Sequence, residues 1–267
     1  MVVHHDPTLD RTTSGRGAIR LKTAAELARI DAGYRFVSLP ADRDSVDLPA
    51  EAGSHEGGKE GGSHISPAVA SGFSRKDRDD EFPFRGQGLG IPTLREVLTR
   101  YPVPLIIELK TPEPALARAT IDELRAAGAV DRSALGSFYS RAVKAARQYE
   151  PRIATGAARE ETRWALYKSW VHWPLGRTAF REFQVPERSG RTTIVTPRFV
   201  SHAHRAGVPV KVWTVNRRGD VERLLAWGVD AIISDRPDVA VAALRAFAPN
   251  SQIPTPNSQG NMRDETG

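Results

Sequence analysis

The chain has 267 residues, 40% of them hydrophobic and 26% charged, with no cysteine, a net charge of +6 and a pI of about 9.8. That length suits one (β/α)8 barrel or two small domains around a sizeable core. The lack of cysteine excludes disulfides and thiolate metal sites, so any metal must be held by His, Asp and Glu, a donor set that suits Mg²⁺ or Ca²⁺ better than structural zinc. The positive balance favours anionic partners such as phosphates. Arginine is scattered, however, and no stripe suited to nucleic acid stands out, so nucleic acid is not expected as a partner. No apolar run reaches about 18 residues, the length at which a membrane-spanning helix would be read. The opening MVVHHDPTLDR has no basic segment followed by an apolar one and does not read as a signal peptide. A cytoplasmic location is therefore expected.

In chain order, Val2-Val3-His4-His5 reads as a strand fragment, and residues 23–30 (TAAELARI) as a short helix with Thr23 as its cap. Residues of about 50–80, including GSHEGGKEGGSH, are rich in Gly, Ser and charge and read as a flexible insertion. His55 and His64 within it read as solvated. Helical patterns follow at 93–100, 113–127 (ending near Gly128), 141–149, 161–173, 197–206, 219–227 and 237–247. Strand patterns fall between them, near residues 107, 136, 155, 184, 212 and 232. This alternation predicts a parallel α/β fold. The tail 249–267 is polar and expected to be disordered, which leaves one domain over 1–248.

In an α/β barrel, functional groups collect at the C-terminal ends of the strands. Glu108 and Lys110, two apart in LIIELK, share a face of their strand. In an apolar strand both are predicted to point into the barrel mouth. There they form either a structural ion pair or a metal ligand beside a phosphate-binding cation. Trp213, near the end of VKVWTVN, is either a core residue or a platform for a ligand. Ser234-Asp235-Arg236-Pro237 is either another polar strand end or simply a helix start with Asp235 as its cap.

The motifs resemble a known family when taken together. His5-Asp6-Pro7-Thr8-Leu9-Asp10-Arg11 is similar to the HD-x4-R signature of the glycerophosphodiester phosphodiesterases. Ile91-Pro92-Thr93-Leu94, Ile106-Ile107-Glu108-Leu109-Lys110, Val212-Trp213-Thr214-Val215-Asn216 and 228–237 (GVDAIISDRP) follow in that family's order, across about residues 2–240. The resemblance implies a TIM (β/α)8 barrel of the phospholipase-C-like phosphodiesterase type. It implies hydrolysis of glycerophosphodiesters to sn-glycerol 3-phosphate and an alcohol, with Mg²⁺ or Ca²⁺ as cofactor. It makes His5 one of two catalytic histidines, Glu108 a metal ligand and Lys110 a catalytic phosphate contact. Arg11 would hold the His5 loop and contribute to substrate binding, and Trp213 would pack on the glycerol.

The sequence departs from the family in one respect. An HR motif and an E-x-D pair belong before the HD motif, but only four residues precede His5. The family's further metal ligands, beyond Glu108, are therefore expected upstream of Met1. The expectation is an incomplete barrel, lacking its first one and a half to two βα units, with little activity of its own. Two alternatives stand beside it: a barrel that binds phosphodiester headgroups without cutting them, and a phospholipase C- or D-like relative. Trp164, Tyr167, Trp170, Val171 and Trp173 could form a peripheral membrane contact or an ordinary outer helix of the barrel.

Overall fold

The computed structural model describes residues 1–37 and 82–247; the expected insertion at about 50–80 and the tail 249–267 lie outside them. Its elements are α1 (Ala24–Leu27), α2 (Leu94–Arg100), β1 (Leu105–Glu108), α3 (Pro114–Ala126), β2 (Ser133–Gly136), α4 (Ser140–Tyr149), β3 (Ala154–Thr155) and α5 (Arg159–Trp170), then β4 (Phe183–Pro186), β5 (Arg188–Ser189), β6 (Thr192–Thr193), α6 (Pro197–Arg205), β7 (Val210–Trp213), α7 (Arg218–Ala226), β8 (Ala231–Ile232) and α8 (Pro237–Phe247).

The helices start where their caps predict. Thr23 and Thr93 each close a capping box, with Glu26 and Glu96 reaching back to the cap nitrogen at 2.7 Å. Helix α3 opens with Pro114 and stops before Gly128, which takes a φ of +60°. The expected first strand is not formed. Val2 makes an isolated bridge to Thr93, and the backbone at His4 and His5 belongs to no strand. Among the described residues no long partner lies alongside to satisfy a ladder of backbone groups. The segment settles instead as a bend on residues 91–93, through Val3 N–H to Pro92 O at 2.9 Å.

Strands β1–β2–β3 and β4–β7–β8 form two parallel three-stranded sheets, and a parallel bridge from Gly156 to Glu182 joins them. The result is a curved wall of six parallel strands with helices on its outer face. Alternate residues of each strand pack on those helices. Leu105, Ile107, Leu109 and Leu135 meet Ile121, Leu124 and Ala142; Phe183, Val185, Val210 and Val212 meet Phe199, Val200 and Leu224. The intervening positions therefore face the lumen: Ile106, Glu108, Gly136, Gln184, Lys211 and Trp213. A small third cluster, Leu9, Leu27 and Ile91, gathers residues 1–37 with 82–93 into a lobe beside the wall.

Candidate active site

The end of β1 is pinned before it turns outward. Leu109 N–H donates to Gly136 O at 2.8 Å, and Ser137 Oγ donates to Leu109 O at 2.7 Å. Leu109 is buried among the helices, so the side chains on either side of it project together from the lumen face. Lys110 Nζ lies 2.7 Å from Glu108 Oε2, each side chain about one third exposed. The predicted common orientation of the two is thus observed. Trp213 lies on the same face of the wall on β7, edge-on to Phe138 with ring centroids 5.7 Å apart.

His5 and Arg11 meet through Asp6. Arg11 Nε and Nη2 donate to the two oxygens of Asp6 at 2.6 and 3.0 Å, and His5 Nδ1 is 2.7 Å from Asp6 Oδ1. The Arg11 hydrogen bonds, assisted by that from His5, outweigh burial and hold the Asp6 carboxyl at a pKa of about 2. The carboxylate beside Nδ1 fixes the orientation of the imidazole.

Two features were missed in the sequence. Glu182 and Lys211 pair across β4 and β7 at 2.7 Å, in the lumen, with the carboxylate buried. Gln184 Nε2 donates to the same Glu182, and the Gln184 side chain lies where a Cβ on Gly136 would stand, so Gly136 makes room for it. The signal was available: Lys211 and Trp213 have the same two-residue spacing as Glu108 and Lys110. The second feature is a tie at the end of β8: Asn216 Oδ1 accepts from Asp235 N–H at 2.9 Å and from Ser234 Oγ at 3.0 Å, holding the ends of β7 and β8 together. Helix α8 starts beside the buried Arg236, which pairs with Asp238 at 2.7 Å.

Among the described residues no three His, Asp or Glu side chains gather where they could hold a metal ion. Glu108 is a single carboxylate already paired with Lys110, whereas Mg²⁺ or Ca²⁺ takes six or more oxygen ligands. The further ligands expected upstream of Met1 have no counterpart among the described residues, and Met1 itself belongs to no metal site. It is a packing residue: its carbonyl accepts from Leu94 N–H at 3.2 Å at the start of α2, and its Sδ accepts from Thr120 Oγ1 of α3 at 3.2 Å. A thioether is in any case a poor donor to a hard ion. The described residues do not fit such an ion by themselves.

A wall of parallel strands with outer helices, carrying charged groups at the strand ends, defines a barrel-type α/β protein. The model of the glycerophosphoryl diester phosphodiesterase family matches residues 1–239, and the chain belongs to that family of phosphoric diester hydrolases, which is in general metal-dependent. "Probable glycerophosphodiester phosphodiesterase 2" of Mycobacterium tuberculosis is 31% identical over 163 residues, a match that covers 58% of this chain and spans 60% of that relative's length. The glycerophosphodiester phosphodiesterase of Caldanaerobacter subterraneus is 24% identical over 251 residues, 92% of this chain and 80% of that one. Among solved structures, the glycerophosphoryl diester phosphodiesterase domain of a Mycobacterium tuberculosis protein superposes with a TM-score of 0.62 at 18% identity, over 92% of this chain and 82% of that one. A phosphodiesterase of Oleispira antarctica, solved with the product sn-glycerol-3-phosphate, gives 0.55 at 21% identity, over 91% and 78%. These likenesses show the fold to be the family's TIM-barrel type.

Proposed function

We propose that the chain acts on glycerophosphodiesters, releasing sn-glycerol 3-phosphate and an alcohol. The observation that carries this reading is the Glu108–Lys110 pair projecting from the lumen face of β1 in a chain matched to the family over residues 1–239. Lys110 neutralises the phosphate, and Glu108 keeps the ammonium in place when no phosphate is bound. Trp213 offers an apolar ring for the glycerol backbone. In hydrolysis, a water oxygen bonds to phosphorus, the bond from phosphorus to the alcohol oxygen breaks, and the leaving oxygen takes a proton. His5, oriented by Asp6 and Arg11, supplies that proton and is restored by the proton that the attacking water releases. If a hard divalent ion takes part, Mg²⁺ or Ca²⁺ by the chemistry of a carboxylate ligand, Glu108 is the residue that would contribute to it.

The test is release of glycerol 3-phosphate from glycerophosphocholine, with and without Mg²⁺ or Ca²⁺. His5→Ala should lower turnover by roughly 10²–10⁴, the usual worth of a proton-transfer group. Lys110→Met should weaken substrate binding as well as turnover. An unaltered rate in both variants would sink the reading. One observation favours a second reading, in which the barrel binds phosphodiester headgroups without cutting them: among the described residues Glu108 has Lys110 as its partner and no cage of acids surrounds it. Saturable binding of glycerophosphocholine, lost in Lys110→Met and accompanied by no product, would distinguish it.

A further inference from the structure

Helix α5 does more than cover the barrel wall. Its inner positions Thr162, Ala165, Leu166 and Ser169 are buried, while Trp164, Tyr167 and Trp170 stand outward at helical spacing. The three rings contact one another in series, Trp164 to Tyr167 at 6.0 Å and Tyr167 to Trp170 at 5.4 Å between centroids. The stripe continues past the helix end. His172 takes a φ of +56° and Trp173 N–H returns to Lys168 O at 2.9 Å, a cap that fixes the backbone of Val171 to Trp173 against the last turn. Trp164 and Trp173 are each 65% exposed and Val171 is 71% exposed. A contiguous aromatic patch of this kind is unusual on a surface that meets only water.

The charges around it have one sign. From Thr162 to Arg181 there is no Asp or Glu, but there are Arg163, Lys168, Arg177 and Arg181. Helix α6, packed beside α5, adds Arg198 and Arg205 and again no acid. The two acids at the start of α5 are engaged elsewhere, Glu160 by Ser140 and Glu161 by Arg147. Arg163 lies close enough to Glu160 to help lower its pKa, whereas among the described residues no ion pair includes Arg177 or Arg181.

We infer that this face docks on the surface of an anionic phospholipid bilayer. Tryptophan and tyrosine rings suit the headgroup zone, where one edge is apolar and the other wet, and each nearby Arg or Lys is drawn to anionic lipid. No helix among the described residues is long and apolar enough to cross a membrane, so the contact is peripheral. A second copy of the chain fits less well. A two-fold contact through this face would set each cationic rim against its own copy. The surface is formed by α5 and α6, apart from the β1 and β7 ends, so it is independent of the proposed hydrolysis.

The test is co-sedimentation of the whole chain with vesicles, read without substrate. Vesicles of phosphatidylcholine with about one third phosphatidylglycerol should retain the protein, and pure phosphatidylcholine should retain far less. Binding should fall as NaCl rises from ~0.1 to ~0.5 M. Arg163→Gln and Arg177→Gln should each weaken partitioning roughly fivefold, and Trp164→Ala with Trp173→Ala should abolish it, all with an unchanged circular dichroism spectrum. Equal retention by neutral and anionic vesicles, or no retention by either, would overturn the inference. So would a dimer in light scattering that Trp164→Ala turns into a monomer.

Discussion

The lumen of the wall holds two carboxylate–ammonium pairs, both at 2.7 Å, in different surroundings. Glu108 and Lys110 come from one strand end and stand at 37% and 35% exposure, above a sheet whose inner Ile106 is itself 43% exposed. Glu182 and Lys211 come from neighbouring strands and stand at 9% and 23%, with Gln184 bonded to the same carboxylate. The same two functional groups at the same separation therefore differ in what it costs to part them. The exposed pair opens at small cost, because water already solvates part of both charges. The buried pair holds β4 to β7 and resists being opened, because either charge alone would lie in a poorly solvated wall.

The outer side of the wall gives the largest expected effect. Phe199 is fully buried and contacts Phe183 at 5.0 Å between centroids. Phe199→Ala should cost about 4 kcal/mol in denaturant unfolding. A loss below about 1 kcal/mol would mean that the β4–β7–β8 half is not anchored on α6.

The inner pairs come next. Lys211→Met leaves the Glu182 carboxylate without its cation and should cost about 3 kcal/mol, whereas Glu108→Gln should change stability by less than about 1 kcal/mol. Equal losses in the two variants would break the comparison between the pairs.

A smaller effect follows from pH. His202 is buried, and Nε2 has no partner among the described residues. Burial, reinforced by Arg205, Lys168 and His172, pushes its pKa below the ordinary 6.5. The unfolded chain then binds the proton more readily. Stability is full above about pH 6.5 and declines as the pH falls from there through the folded value. Thermal melts of His202→Leu between about pH 7 and pH 5 should show a flatter slope than the parent; identical slopes would remove His202 as the cause.

The smallest effect concerns local charge. Arg11→Gln should raise the Asp6 pKa from about 2, since the Arg11 hydrogen bonds are the main cause of its depression. Carboxyl chemical shifts followed against pH would report it, and an unmoved midpoint would show that another group holds Asp6 ionised.

Much of this was legible in the chain itself. Thr23, Thr93, Pro114 and Gly128 mark helix ends by local chemistry, since a cap needs only its own next few residues. Apolar strand patterns placed the six parallel strands, and the two-residue spacing of Glu108 and Lys110 placed them on one face, because side chains alternate along any strand. The order of the motifs pointed to the family.

Other features depended on partners distant in sequence. Val2 to His5 looked like a strand, but a strand needs a neighbour over its length, and only Thr93 bridges to it among the described residues. Met1 gave no sign of its contacts either, since Leu94 and Thr120 reach it only once α2 and α3 have packed. Asp235 gave no sign of its tie to Asn216, 19 residues earlier, which forms only once β7 and β8 lie side by side. The two-residue spacing of Lys211 and Trp213 marked a shared face, but that Glu182 is the partner of Lys211 depended on β4 lying beside β7 in this register. The sequence alone settled what is local: caps, alternation and the carboxylate and ammonium set two apart. Tertiary structure decided which charged pair is buried and which is open, because burial is a property of the assembled wall.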